Sequence, residues 1–242
     1  MDRSAASRSA RYMAYKKDLY TDPAAEYSVH IYKSRSQWLK GRVSGIGGSD
    51  ASAAIGMNPW RTNLDLWMIK TGRKEAPDIS SNERVIYGQN AEEAIRLLYK
   101  AKKRGIIDVN YMSNAILSNR EHPELLYSPD GLLLERETGR KGILEVKTAT
   151  PITALQKEKW KQEHIPDNYY IQVLHGMNVT GFDFVDLIAE LTYDEHYSQI
   201  RIYHIDRDDA LDDLNMVKDG VLTFWNEYVK TGREPAMTLP QI

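Results

Sequence analysis

Apolar residues in the middle of this chain fall in short blocks that alternate with polar ones. Residues 132–134 and 143–146 are two such blocks, and they flank a turn rich in Glu, Thr, Gly, Arg and Lys. That pattern predicts a β-hairpin. A four-residue loop over 136–139 pairs Glu135 with Arg140, and counting back sets Asp130 opposite Glu145. Side chains alternate faces along a strand, so Glu145 and Lys147 share one face and Val146 points to the other.

Upstream the periodicity is helical. Ser49 caps a short helix over 51–57, which Asn58-Pro59-Trp60 breaks. Thr62 caps a second helix over 63–70, with Gly72 at its stop. A long helix over 83–103 follows, ended by Gly105, with Val85, Ile86, Ala94, Ile95, Leu97 and Leu98 giving it a broad apolar side. Short β-like runs occupy 106–109 and 115–117, ahead of the hairpin. Downstream, a polar helix runs from Pro151 to about Glu163, and an amphipathic one over 169–179 is stopped by Gly181. Residues 182–191 and 200–205 alternate as strands. A last helix over 208–231 carries Phe224, Trp225 and Tyr228 on its apolar side. This order predicts an α/β (α+β) fold, with a mixed central β-sheet flanked by helices. Residues 1–30 read as a flexible N-terminal tail and 31–242 as a single domain.

Composition narrows the classes. The chain has 242 residues, 42% of them hydrophobic, enough for one sizeable core. No apolar run approaches the ~20 residues of a membrane span. No secretory signal is visible, and a cytoplasmic protein is expected. Cysteine is absent, which excludes disulfides, thiolate zinc sites and cysteine-ligated iron–sulfur clusters. Net charge is −2, so any grip on nucleic acid must be local. Residues 1–50 carry nine Lys/Arg against five Asp/Glu, and residues 151–242 carry eight against sixteen.

The candidate chemistry sits at the mouth of the hairpin. Two facing carboxylates, Asp130 and Glu145, repel unless a positive charge lies between them. A hard divalent cation suits such oxygen ligands. Lys147 can orient a nucleophilic water or stabilise developing negative charge. The plainer alternative is a solvated surface hairpin. A second candidate is Gly45-Ile46-Gly47-Gly48-Ser49, a glycine turn entering a helix, with Lys40 and Arg42 upstream. It reads as an anion site or simply as a capped helix. It is neither a Walker A loop nor a Rossmann fingerprint. On the long helix, Gly88 lies one turn before Glu92 and would let backbone or phosphate come close.

These residues resemble a known family. Gly88-x-x-x-Glu92, Ser128-Pro129-Asp130-Gly131, Leu144-Glu145-Val146-Lys147 and Tyr170-Ile171-Gln172 are similar to the motifs of the PD-(D/E)XK nuclease superfamily. The closer resemblance is to phage recombination exonucleases of the lambda exonuclease and YqaJ-like viral recombinase type. Residues 45–67 resemble the N-terminal block of the latter, and the likeness runs from about Trp38 to Val179. It implies a restriction-endonuclease-like core and a Mg²⁺-dependent 5′→3′ exonuclease on linear double-stranded DNA, with Mn²⁺ able to substitute. The product would be a 3′ overhang for a single-strand annealing protein, in phage-type recombination in a bacterial host or from a prophage. Asp130 and Glu145 would bind metal with the Val146 carbonyl, and Lys147 would orient the attacking water. Glu92 and Gln172 would complete the site, and Arg42 and Ser49 would hold a terminal 5′ phosphate. Family members assemble as homo-oligomeric rings. The Asp130–Glu145 interval is longer than in the lambda enzyme, so the hairpin turn is extended. An endonuclease of the same superfamily and a non-catalytic DNA-end-binding protein are the alternative readings.

Overall fold

The computed structural model describes residues 18–194 and 196–239. Its main sheet has five strands in the order β2 (Ile107–Asn110), β5 (Gly131–Glu135), β6 (Lys141–Ala149), β7 (Phe184–Asp194), β8 (Tyr197–Asp206). Every neighbouring pair is antiparallel except β6 and β7, which run parallel, so the sheet is mixed as expected. A second sheet, in the order β1 (Tyr27–Ile31), β3 (Ala115–Asn119), β4 (Leu126–Tyr127), is wholly antiparallel.

The hairpin forms in the register read from the sequence. Gly131 pairs with Leu144 and Leu134 with Lys141, and Glu135 N–H donates to the Arg140 carbonyl. β5 and β6 are interior strands, so both their faces are apolar. Leu132, Leu134 and Ile143 join the larger core, whereas Leu133, Leu144 and Val146 join a smaller one on the other side.

Helices cover both faces. Parallel β6 and β7 need a crossover, and it contains the buried helix Asp167–Thr180, which packs on both strands and on the second sheet. Gly181, at φ +71°, ends it in the left-handed conformation that suits glycine. On the opposite face lies Glu83–Lys102. With chain order setting the labels, the helices are α1 (Arg35–Gly41), α2 (Gly48–Ala54), α3 (Asn63–Lys70), α4 (Glu83–Lys102), α5 (Ala154–Glu158), α6 (Asp167–Thr180) and α7 (Leu211–Phe224). A π-helical turn, Trp225–Val229, continues α7.

Several expectations need correction. Residues 18–30 are not a tail: Leu19, Tyr20 and Tyr27 are buried and β1 pairs with β3. Residues 1–17 lie outside the described part. Pairing partners distant in sequence leave no local signature, which is why β1 and β4 escape a periodicity reading. α4 is narrower on its apolar side than expected, because only its Ile95–Tyr99 stripe, one turn apart, is buried while Leu97 and Leu98 face outward. α5 spans five residues instead of thirteen. Its Lys/Glu alternation offers no apolar stripe, and Trp160 turns inward to bury itself just after it ends. Among the described residues no helix is long and apolar enough to cross a membrane.

Candidate active site

The register of β5 and β6 ends at Gly131 and Leu144, while β6 runs on to Ala149, paired there with β7. Asp130 stands where β5 would have continued, and its Oδ2 accepts the Val146 N–H at 2.8 Å. Its carboxylate therefore replaces a missing strand partner beside Glu145, the facing pair that the sequence predicts.

Glu145 is 3% exposed, and its charge is met by three donors. Lys147 Nζ reaches Oε1 at 2.7 Å, Gln172 Nε2 donates to the same oxygen, and the Tyr127 hydroxyl donates to Oε2. Gln172 also accepts from Lys147 Nζ at 3.1 Å, so a single amide fixes both charged groups. Gln172 comes from α6, which packs on the face of β6 that Glu145 and Lys147 share. Lys147 is further bounded by the Tyr169 ring, 5.1 Å from Nζ to its centroid. Burial disfavours the ammonium charge, but Glu145 and Asp130 outweigh it and push the Lys147 pKa up. Burial, then the charges of Glu145 and Glu92, drive the Asp130 carboxyl well above the usual carboxylate range.

Glu92 faces the same cleft from α4, but its carboxylate is engaged elsewhere. Its Oε1 accepts from Arg96 at 2.9 Å, one turn along the helix. Arg96 also donates to the Asp130 carbonyl at 3.1 Å and lies over the Tyr111 ring, 3.5 Å from its centroid. Gly88 is where α4 meets β6: a Cβ there would sit 3.0 Å from Thr148 Oγ1. The glycine thus admits a strand side chain, and it lines the cleft.

At the other end of the cleft Arg42 follows α1 and donates to Ser49 Oγ at 2.6 Å. Its guanidinium lies over Trp38, 4.8 Å from the ring centroid, and Trp38 Nε1 donates to Ser128 Oγ at 3.2 Å. Ser49 is not the cap of α2; the N-cap is Gly47, and Ser49 lies one residue inside the helix. Its hydroxyl is thereby turned to Arg42. The neighbouring Asp50 is neutralised by Arg61 and Lys70, each at 2.9 Å, and Lys70 also donates to the Arg42 carbonyl.

Arg42, Ser49, Glu92, Asp130, Glu145, Val146, Lys147 and Gln172 all line one cleft of about 440 Å³. The sequence missed Tyr127, Trp38, Arg96 and Tyr111, which have no motif of their own. Only the adjacency of Tyr127 to Ser128-Pro129-Asp130 hinted at a role.

A divalent cation can be tested against these donors. Two adjacent carboxylates, Glu145 buried and Asp130 partly buried, with Asp130 driven toward protonation by lost solvation and then by the charges of Glu145 and Glu92, are a place where added positive charge is stabilising. Two carboxylates and a main-chain carbonyl also suit a hard ion that keeps several waters. Among the described residues no three His, Asp or Glu side chains gather in a way that could hold a metal ion, consistent with Glu92 being held by Arg96. The donor set fits Mg²⁺ or Mn²⁺ and does not suit zinc.

Comparison with known proteins adds ancestry to this geometry. Residues 37–183 match the model of the YqaJ-like viral recombinase domain. The protein YqaJ of Bacillus subtilis (strain 168) is 32% identical over 211 residues, covering 84% of this chain and 59% of that protein. The chain thus spans under two thirds of that relative's length. The fold is similar to that of an alkaline exonuclease (LHK-Exo) from Laribacter hongkongensis, at TM-score 0.61 and 20% identity, covering 82% of this chain and 94% of that one. It is also similar to a phage related exonuclease from Haemophilus somnus 129PT, at TM-score 0.50 and 15% identity, covering 78% and 96% respectively.

Proposed function

The chain belongs to the YqaJ-like viral recombinase domain family, and from that premise we propose that it is a metal-dependent deoxyribonuclease that degrades linear duplex DNA from its 5′ ends. The observation that carries the reading is the Asp130–Glu145 pair at the open end of the hairpin, Glu145 buried and Asp130 partly so, with Lys147 bonded to Glu145 beside it. A solvated surface hairpin would not bury a glutamate among three donors.

Asp130, Glu145 and the Val146 carbonyl would hold Mg²⁺ or Mn²⁺, which when bound supplies Lewis-acid polarisation of the scissile phosphodiester. The remaining work falls to the chain itself. Lys147, kept protonated by Glu145 and Asp130, orients the attacking water and faces the negative charge that develops on phosphorus oxygens. Gln172 fixes Lys147 and Glu145 relative to each other. Arg42 and Ser49 supply a guanidinium and a hydroxyl for a terminal 5′ phosphate. Glu92 completes the acidic wall of the cleft, restrained by Arg96.

LHK-Exo has been crystallised in complex with dAMP, and a mononucleotide product is the corresponding proposal for this chain. A 3′ overhang would pass to a single-strand annealing protein. A ring of identical subunits around the duplex would keep the enzyme on its substrate.

The test uses linear duplex labelled at each 5′ or 3′ end in turn, together with a closed circle, in Mg²⁺. Early release of labelled mononucleotide from 5′ ends alone, with the circle intact, is expected. Cutting of the circle would point to an endonuclease. Metal-dependent binding without cleavage of any substrate would overturn the enzymatic reading.

A further inference from the structure

Among the described residues Tyr127 is the one side-chain donor to Glu145 from outside β6 and α6. It ends β4 in the second sheet, is 1% exposed, and sends its hydroxyl across to Glu145 Oε2. The ring reaches that point through a slot made by two glycines. A Cβ at Gly48, the first residue of α2, would sit 2.7 Å from the Tyr127 ring, and one at Gly176 on α6 would sit 2.6 Å from it. Real side chains do not approach so closely, so both positions must lack one for the tyrosine to lie where it does. The absence of side chains on two separate helices is explained together by one phenol.

The bonding of Glu145 explains what the phenol is for. A carboxylate offers about four lone-pair sites on its two oxygens. Lys147 and Gln172 both use Oε1. Among the described residues Tyr127 alone engages Oε2. Without it the group is tethered by a single oxygen and can rotate about its terminal bond, a soft torsion with broad minima. With it both oxygens are pinned, and about one lone pair is left for a ligand outside the protein. The hydroxyl serves this purpose as a neutral donor.

We propose that Tyr127 is a positioning residue: its hydroxyl, admitted by the Gly48–Gly176 slot, fixes the orientation in which Glu145 meets the metal and the scissile phosphate. This rests on the nuclease reading above. It extends that reading from the hairpin to the second sheet and to the first turn of α2, which carries Ser49 as well. Residues flanking a metal ligand commonly change metal affinity or activity by ~10–100-fold when removed, and that is the size of effect expected.

Tyr127→Phe keeps the ring in its slot and removes only the hydroxyl. Steady-state digestion of 5′-phosphorylated linear duplex should show kcat lowered ~10–100-fold with KM for duplex ends unchanged, because DNA is gripped elsewhere. Mn²⁺ binding, followed by electron paramagnetic resonance without DNA, should weaken about tenfold. Gly176→Ala, which displaces the ring without removing the hydroxyl, should give the same direction in both readouts. Tyr203→Phe is the control for loss of a buried tyrosine hydroxyl, here one bonded to the Trp160 carbonyl at 3.0 Å, and should leave both readouts unchanged. If the wild-type protein cuts DNA and Tyr127→Phe matches it in kcat and Mn²⁺ affinity, the positioning role is overturned and the nuclease reading stands. Should the wild-type protein neither cut nor bind Mn²⁺, both fall together.

Discussion

Glu145 and Lys147 are neighbours but one in sequence, and strand geometry alone brings their side chains to one face. Their energetics are not local. Burying a carboxylate is costly unless it is paired and hydrogen-bonded, and Glu145 is satisfied by Lys147 together with donors from α6 and β4. Under the proposed nuclease function a substitution here is expected to act on chemistry more than on substrate grip, since contacts along the phosphates supply most affinity for DNA. Glu145→Ala and Lys147→Ala are each expected to lower cleavage by about 10²–10³-fold or more, the cost of removing one group that stabilises transition-state charge. Binding of duplex in a gel-shift assay should change only a few-fold. Substantial Mg²⁺-dependent cleavage by Glu145→Ala would contradict the metal assignment. Glu92 stands differently, because its partner in the structure is Arg96 and not the carboxylate pair.

Among elements, α1, the turn after it and α2 form a corner in which Arg42 and Ser49 meet. The sequence pointed to this corner as an anion site and misjudged how it is built. Ser49 looked like a helix cap because serine is favoured at that position; the chain instead caps α2 two residues earlier, at Gly47, and starts it at Gly48, where space is needed for Tyr127. The proposed role of the corner rests on Arg42 and Ser49 meeting there, which the shift leaves in place. A terminal phosphate differs from an internal one in carrying extra charge and no onward chain, and the guanidinium fork recognises such a group through charge-assisted bonds. Linear duplex with 5′ phosphates should be degraded ~10-fold faster than the same duplex with 5′ hydroxyls, the worth of one such bond. Arg42→Ala should erase the difference by slowing only the phosphorylated substrate. Equal slowing of both would make Arg42 a general backbone contact.

At the scale of the whole molecule, His175 shows how α6 ties the parts together. It is fully buried, and its Nε2 lies 3.0 Å from both the Ile46 and Leu126 carbonyls, so Nε2 carries the proton and donates to the glycine block and the second sheet at once. Its Nδ1 has no hydrogen-bond partner among the described residues. Protonation would bury a charge and an unmet N–H, and burial brings the pKa down to about 4. An unfolded chain titrates at about 6.5. Above that value both states are neutral and the residue leaves stability independent of pH. As pH falls from there toward 4 the unfolded chain takes up the proton first, so stability is lost across that window, on the order of 3 kcal/mol in all. Urea unfolding midpoints should fall between pH 6.5 and 4, and His175→Gln, neutral throughout, should flatten that part of the profile. An unchanged slope in the variant would show that other groups carry it.

What the sequence determined by itself was whatever depends on neighbours along the chain. The β5–β6 register followed from turn length and strand alternation, and it set Asp130 against Glu145. Thr62 at the start of α3 and Gly181 at the end of α6 were read from the chemistry of single helix ends. The mixed sheet followed from the order of elements. Tertiary structure alone decided the rest, because it depends on which distant segments meet. β1 exists only by pairing with β3, some ninety residues away in the chain. Glu92 pairs with Arg96 because that guanidinium, stacked on Tyr111, also reaches the Asp130 carbonyl. The glycines at 48 and 176 have a reason only once a tyrosine from a third element lies between them. Local rules place a residue on a face; what that face meets is set by packing, where volume, charge and hydrogen bonds from several segments must be satisfied in one place.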